Sequence, residues 1–163
     1  MLFLLCQIGE HRYALEARLV AEVLPLVAIT PIPQAPAGVA GVFNYRGVPV
    51  PVVDLSQLTL GRPARSRSNT RLVLVHYPNG LGRPFLLGLI AERVTETVRR
   101  DLGDFVPSGV TSDAAAYLGP VATDARGWLQ WIDVTKVLPA PVRDVLFAHT
   151  GASDAARDMS VAS

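Results

Sequence analysis

Apolar residues in this chain come in short runs punctuated by glycine and proline. Residues 2–8 are almost wholly apolar, Gly9 and Glu10 begin a turn, and Tyr13-Ala14-Leu15 returns. That pattern predicts a hairpin of mostly buried strands. Leu15, Leu19, Val20, Val23 and Leu24 then fall at helical spacings. They predict a short amphipathic helix over residues 16–24, stopped before Pro25 because proline disfavours helix at the residue preceding it. Pro31, Pro33 and Pro36 keep the next stretch extended, and residues 37–42 permit one helical turn. The β-branched run from Val48 to Val53 reads as a strand, with Pro49 and Pro51 placing their missing donors at an edge or bulge. Asp54, followed by Leu55 and Leu58, suits the N-cap of a short helix.

Beyond a polar loop at residues 62–71, residues 71–77 and 85–91 predict a second hairpin around the Pro-Asn-Gly-Leu-Gly turn at 78–82. Val94, Glu96 and Val98 alternate with polar residues, so 92–100 reads as a strand; 102–116 is irregular. Residues 118–123 and 127–132 predict a third hairpin, and Asp133 caps a short helix ending before Pro139. The segment Val52-Val53-Asp54-Leu55-Ser56-Gln57-Leu58 is echoed by Trp131-Ile132-Asp133-Val134-Thr135-Lys136-Val137. Both are strand, then Asp cap, then apolar residues one and four positions on, as two similar small β units would give. Many short strands with proline and glycine turns point to barrels rather than an open sheet.

The chain has 163 residues, half of them apolar and only 18% charged, far from a disordered composition. A chain of this size buries roughly 70% of its unfolded surface and needs no metal or disulfide to hold a core. A formal charge of +1 creates no strong overall field toward nucleic acid or anionic membrane. The apolar start is short, lacks a basic leader and meets Gln7, Glu10 and Arg12 at once, so it does not read as a signal peptide. No apolar run is long enough to span a bilayer. A cytoplasmic protein without direct membrane insertion is expected.

The sequence presents no reactive constellation. Cys6 stands alone among apolar neighbours and reads as a small buried hydrophobe. His11, His76 and His149 lack a second ligand at metal spacing, so no metal or cofactor is expected. Gly80-Leu81-Gly82 joins two strands rather than opening a helix, and Asp101 and Asp104 lack an apolar wall or a histidine partner. No catalytic residue is assigned, and the chain is not expected to be an enzyme. Arg62, Arg65, Arg67 and Arg71 could meet phosphates, which makes a nucleic-acid-binding β-barrel the alternative. The loop has no aromatic for base stacking, so nucleic acid is not the expected partner.

One running pattern carries more. Tyr13-Ala14-Leu15, Val20-Ala21-Glu22-Val23, Ile32-Pro33-Gln34-Ala35-Pro36, Gly41-Val42-Phe43-Asn44-Tyr45-Arg46-Gly47 and Pro51-Val52-Val53-Asp54-Leu55 follow in order. In order and spacing they resemble the CheW domain. Ala91 and Glu92 stand where that family usually has Val and Asp, and Tyr45 replaces a more usual Leu. The resemblance covers residues 1–148 as one domain of two barrel subdomains and leaves 149–163 as a flexible tail.

The resemblance implies an all-β fold, two five-stranded SH3-like barrels with a few short helices around a shared apolar core. It also implies a non-catalytic adaptor between the cytoplasmic tip of a methyl-accepting chemoreceptor and the regulatory domain of a CheA-type histidine kinase, at inner-membrane receptor clusters. By position Val20, Glu22 and Arg46 fall on the receptor face, while Gly41, Asn44, Gly47 and Asp54 shape turns. The short form and the Glu22-Val23-Leu24-Pro25-Leu26 variant look most like the WspB-like adaptors of Wsp surface-sensing systems, whose output is a diguanylate cyclase.

Overall fold

In the computed structural model, residues 1–78, 85–110 and 112–147 are described. The glycine turn at 80–82, His149 and the tail at 149–163 lie outside them. β1 (Leu2–Ile8) and β2 (His11–Glu16) form the first hairpin, with Leu4 opposite Leu15 and Cys6 opposite Tyr13. β3 (Val20–Pro25), β4 (Val39–Tyr45) and β5 (Val48–Asp54) follow, and α1 (Leu55–Leu60) begins on the Asp54 cap. β6 (Arg71–Tyr77) pairs with the first half of β7 (Phe85–Arg99), then β8 (Leu118–Asp124) and β9 (Gly127–Ile132) form the third hairpin.

Two predicted elements are corrected. Residues 16–24 are not a helix: Ala17–Leu19 make a single 3-10 turn, and Val20–Pro25 is strand β3. Val20, Glu22 and Leu24 are half-buried while Ala21, Val23 and Pro25 are exposed, so the same sequence satisfies a period of two. The strand prevails because β6, buried from Leu72 to Val75, needs a partner on its second edge, and β3 supplies it. Nor is 37–42 a helical turn. From Val39 it is β4, the antiparallel neighbour of β5. Pro49 and Pro51 sit where anticipated: β5 meets β7 only from Val52 onward, so neither proline is asked for a donor there.

β7 belongs to two barrels. Its first half lies between β5 and β6, giving the order β4-β5-β7-β6-β3; its second half pairs with β1 in the order β7-β1-β2-β9-β8. The change of barrel falls where Arg93 takes a left-handed φ of 51°. Each barrel closes through one bridge. Thr30, after β3, exchanges backbone hydrogen bonds with Val42 of β4; Val106, after β7, does the same with Val121 of β8.

Burial explains why the strands read as unbroken apolar runs. Phe3 and Leu5 of β1 fill the second barrel with Ala14, Phe105, Ala122 and Leu129. Leu72 and Leu74 of β6 fill the first with Phe43, Val50, Val52 and Ile90. The alternate residues (Leu4, Cys6 and Ile8; Val73, Val75 and Tyr77) point into a third cluster shared between the barrels. Strands buried on both faces have no polar side to show. A helical segment over 140–147, which the sequence reading did not anticipate, adds Leu146 and Phe147 to that shared core.

The sequence echo at Asp54 and Asp133 is a structural repeat. β5 runs parallel to the second strand of the β6–β7 hairpin, and β9 runs parallel to the second strand of the β1–β2 hairpin. Each barrel takes its hairpin from one half of the chain and its other three strands from the other half. The halves exchange strands, so neither barrel is a contiguous piece of sequence.

Candidate functional site

The loop between β4 and β5 is two residues long, with Tyr45 paired to Val48 across it. Arg46 and Gly47 both take positive φ, 52° and 83°, as a hairpin turn matched to strand twist requires. Glycine carries the second at no steric cost. Asn44 Oδ1 accepts the Gly47 N–H at 2.7 Å and fixes the turn from its flank. Gly41 has a different task. Its φ is 148°, and a Cβ there would stand 2.1 Å from the Thr30 carbonyl oxygen, so only glycine lets the barrel-closing bridge form. The N-x-R-G spacing thus delivers one long basic side chain from a rigid tip.

Arg46 is brought to Glu22, with Nη2 at 3.8 Å from Oε2. Glu22 lies on β3 opposite Leu74, and Val20, two residues earlier across a bulge, packs half-buried against the shared core. Val20 therefore sits on a strand and not on the expected helix. A third residue joins the pair. Tyr45 donates its hydroxyl to Glu22 Oε2, and the Arg46 guanidinium lies 5.0 Å over the Tyr45 ring. The bond to Glu22 raises the Tyr45 phenol above its ordinary pKa, because the carboxylate stabilises the protonated hydroxyl. Sequence reasoning marked Tyr45 only as a departure from Leu; a phenol beside Arg in a two-residue turn was the available signal.

Asp54 is structural. Its Oδ1 accepts from Ser56 and Gln57 at 3.0 and 3.2 Å, and its Oδ2 accepts from Ala64 at 2.9 Å, which caps α1 and ties down the start of the following loop.

The second barrel holds a counterpart of the Glu22–Arg46 pair that the sequence reading missed. Glu96 stands opposite Leu5 on β1 as Glu22 stands opposite Leu74 on β6. Arg126, in the β8–β9 turn, reaches Glu96 at 2.7 Å. It occupies the second position of its turn where Arg46 occupies the first. The legible trace was Val-x-Glu at 94–96 with Arg-Gly at 126–127, repeating Val20-Ala21-Glu22 and Arg46-Gly47.

None of this constitutes reactive machinery. Among the described residues no cluster of three or more His, Cys, Asp or Glu could hold a metal ion. Burial pushes the Cys6 thiol up to about 12, which leaves it an inert part of the core. Asp104 accepts the Asp101 N–H at 3.1 Å and completes a capping box around a 3-10 turn. In the arginine loop, Arg65 N–H donates to Glu92 and Arg71 donates to the Ser68 carbonyl. Among the described residues no helix is long and apolar enough to cross a membrane.

Comparison with known proteins agrees along nearly the whole folded region. The CheW-like domain matches residues 2–142. Protein FrzA of Myxococcus xanthus is 31% identical over 114 residues, covering 70% of this chain and 68% of that protein. The chemotaxis protein CheW of Rhizobium meliloti is 26% identical over 141 residues, 85% of this chain and 87% of its own. The crystal structure of the scaffolding protein TtCheW from Thermoanaerobacter tengcongensis superposes with a TM-score of 0.73 at 25% identity, over 85% of this chain and 88% of that one.

Proposed function

Because the chain belongs to the CheW-like domain family, we propose that it couples the cytoplasmic tip of a methyl-accepting chemoreceptor to the regulatory domain of a CheA-type histidine kinase. The chain itself is a non-catalytic scaffolding adaptor of the chemotaxis type, with the fold of two SH3-like barrels. The family match disfavours the nucleic-acid reading of the arginine loop.

The observation that carries the partner assignment is the Glu22–Tyr45–Arg46 cluster on a rigid turn. Arg46 offers donors and Glu22 an acceptor, and Val20 gives the strand an apolar footing. That set suits a receptor helix carrying carboxylates or carbonyls beside a donor. The kinase domain binds elsewhere on the molecule, since one small face does not hold both partners. The adaptor works at receptor clusters on the inner membrane without entering the bilayer. The Glu22-Val23-Leu24-Pro25-Leu26 segment favours a Wsp-type system controlling cyclic-di-GMP.

The test is capture of partners from a detergent-solubilised lysate of source cells, membranes included, with mass-spectrometric identification. Recovery of a methyl-accepting receptor together with a CheA-type kinase supports the reading. Recovery of neither, with the chain folded, overturns it. A deletion strain separates the outputs: altered cyclic-di-GMP with normal swimming supports the Wsp-type system, and the reverse contradicts it.

A further inference from the structure

Glu22–Arg46 and Glu96–Arg126 are counterparts in the two barrels, with Arg126 one position later in its turn than Arg46, and their geometries differ. The second pair is closed at 2.7 Å as a hydrogen-bonded ion pair, while the first stands at 3.8 Å without a direct hydrogen bond. Tyr45 is present in one and absent from the other. Its hydroxyl takes Glu22 Oε2, the oxygen that also faces Arg46 Nη2, and its ring carries the guanidinium. By register the corresponding residue in the second barrel is Asp124, which is turned to Arg12 and Arg100 instead. No phenol competes for the carboxylate there, and arginine and glutamate are closed on each other.

We propose that Tyr45 is a positioning residue for docking: it occupies one oxygen of Glu22 and holds Arg46 on its ring, so the pair stays open to a partner. The inference rests on the receptor-docking reading and deepens it. An open pair presents Glu22 Oε1 as a free acceptor and a guanidinium, 77% exposed, with unused donors. A closed pair satisfies itself. It must be broken before a partner can bind, and breaking it costs affinity. The complementary partner is a helix with a basic or amide donor next to a carboxylate. The Glu96–Arg126 pair, closed already, is structural by the same argument.

The experiment uses the full chain and, as probe, a soluble fragment of the cytoplasmic tip of the receptor that the wild-type chain captures. Binding is measured for wild type, Tyr45→Phe, Glu22→Gln and the double variant. Tyr45→Phe removes only the hydroxyl and keeps the ring against Phe43, so its melting temperature should match wild type. We expect Tyr45→Phe to weaken binding about fivefold or more, and to add nothing once Glu22 is already Gln, because both changes act through one carboxylate. The inference is overturned if Tyr45→Phe binds as well as wild type, or if its effect persists undiminished beside Glu22→Gln. A wild-type chain that binds no receptor fragment sinks the docking reading and this inference with it.

Discussion

Asp54 and Asp133 occupy the same place in the two halves of the chain. Asp54 is the last residue of β5 and Asp133 directly follows β9, both strands run parallel to a hairpin of the other half, and each aspartate caps the helical turn that follows. The Asp54 N–H donates to the Gly38 carbonyl and the Asp133 N–H to the Tyr117 carbonyl, both at 2.8 Å. Gly38 and Tyr117 are separated along the sequence by the same interval as the two aspartates. The repeat therefore extends to individual backbone hydrogen bonds.

The two caps differ in load, which makes a prediction. Asp54 is buried and accepts three N–H groups, one from the loop after α1, whereas Asp133 is more exposed and its carboxylate, among the described residues, accepts hydrogen bonds from Thr135 alone, through the threonine N–H and hydroxyl. Asp54→Ala should cost about 2–3 kcal/mol, since buried donors lose their acceptor, and Asp133→Ala about 1 kcal/mol. Urea unfolding of both variants measures the difference; equal losses would contradict the unequal roles.

The proposed docking pair should behave in the opposite way. Arg46 and Glu22 are both at least 36% exposed, so their attraction should contribute about 0.2–1 kcal/mol to folding. Losing a desolvated charge partner in a complex costs roughly 2–5 kcal/mol. Arg46→Ala and Glu22→Ala should therefore melt like wild type and lose receptor binding by more than about tenfold. Calorimetry and a binding titration on the same preparations check it. A large fall in melting temperature would make the pair structural.

Asp124 should give a pH signature. Arg12 at 2.6 Å, and then the Arg126 N–H and Arg100, hold its carboxyl well below the usual range against a smaller opposing effect of burial. A depressed folded-state pKa contributes stability that is present above the unfolded value of about 4 and lost as pH falls toward the folded one. Asp124→Asn should destabilise the protein by about 2 kcal/mol at pH 7. The gap to wild type should narrow steadily below about pH 4. A gap independent of pH would show that packing and not charge explains the loss.

Gly41 tests the closure of the first barrel. Any Cβ there collides with the Thr30 carbonyl, so Gly41→Ala should cost more than about 2 kcal/mol. Amide exchange should quicken first at Thr30 and Val42, which share the closing bridge. Protection unchanged at those two amides would argue that the bridge is dispensable.

Most of the fold was legible because turn chemistry and apolar runs agree locally. The Gly9-Glu10 turn, the Asp54 cap and the β8–β9 hairpin all fall where their residues put them. Residues 16–24 misled because Leu15, Leu19, Val20, Val23 and Leu24 fit a helix in isolation; only the unpaired edge of β6, distant in sequence, decides for a strand. The exchange of strands between halves was illegible for the same reason. A local echo cannot say which hairpin a strand will join. At the site, the residues Val20, Glu22 and Arg46 came from resemblance, and the structure adds Tyr45, whose contacts span β3 and the β4–β5 turn.

The most direct test of the coupling role is reconstitution. A receptor cytoplasmic fragment is immobilised, and the CheA-type kinase is passed over it with and without this chain. Kinase should be retained only when the chain is present. With Glu22→Ala, retention on the receptor should fall more than about tenfold, while binding of chain to kinase in solution should be preserved. Kinase held equally well without the chain, or a Glu22→Ala variant that supports full retention, would contradict the account.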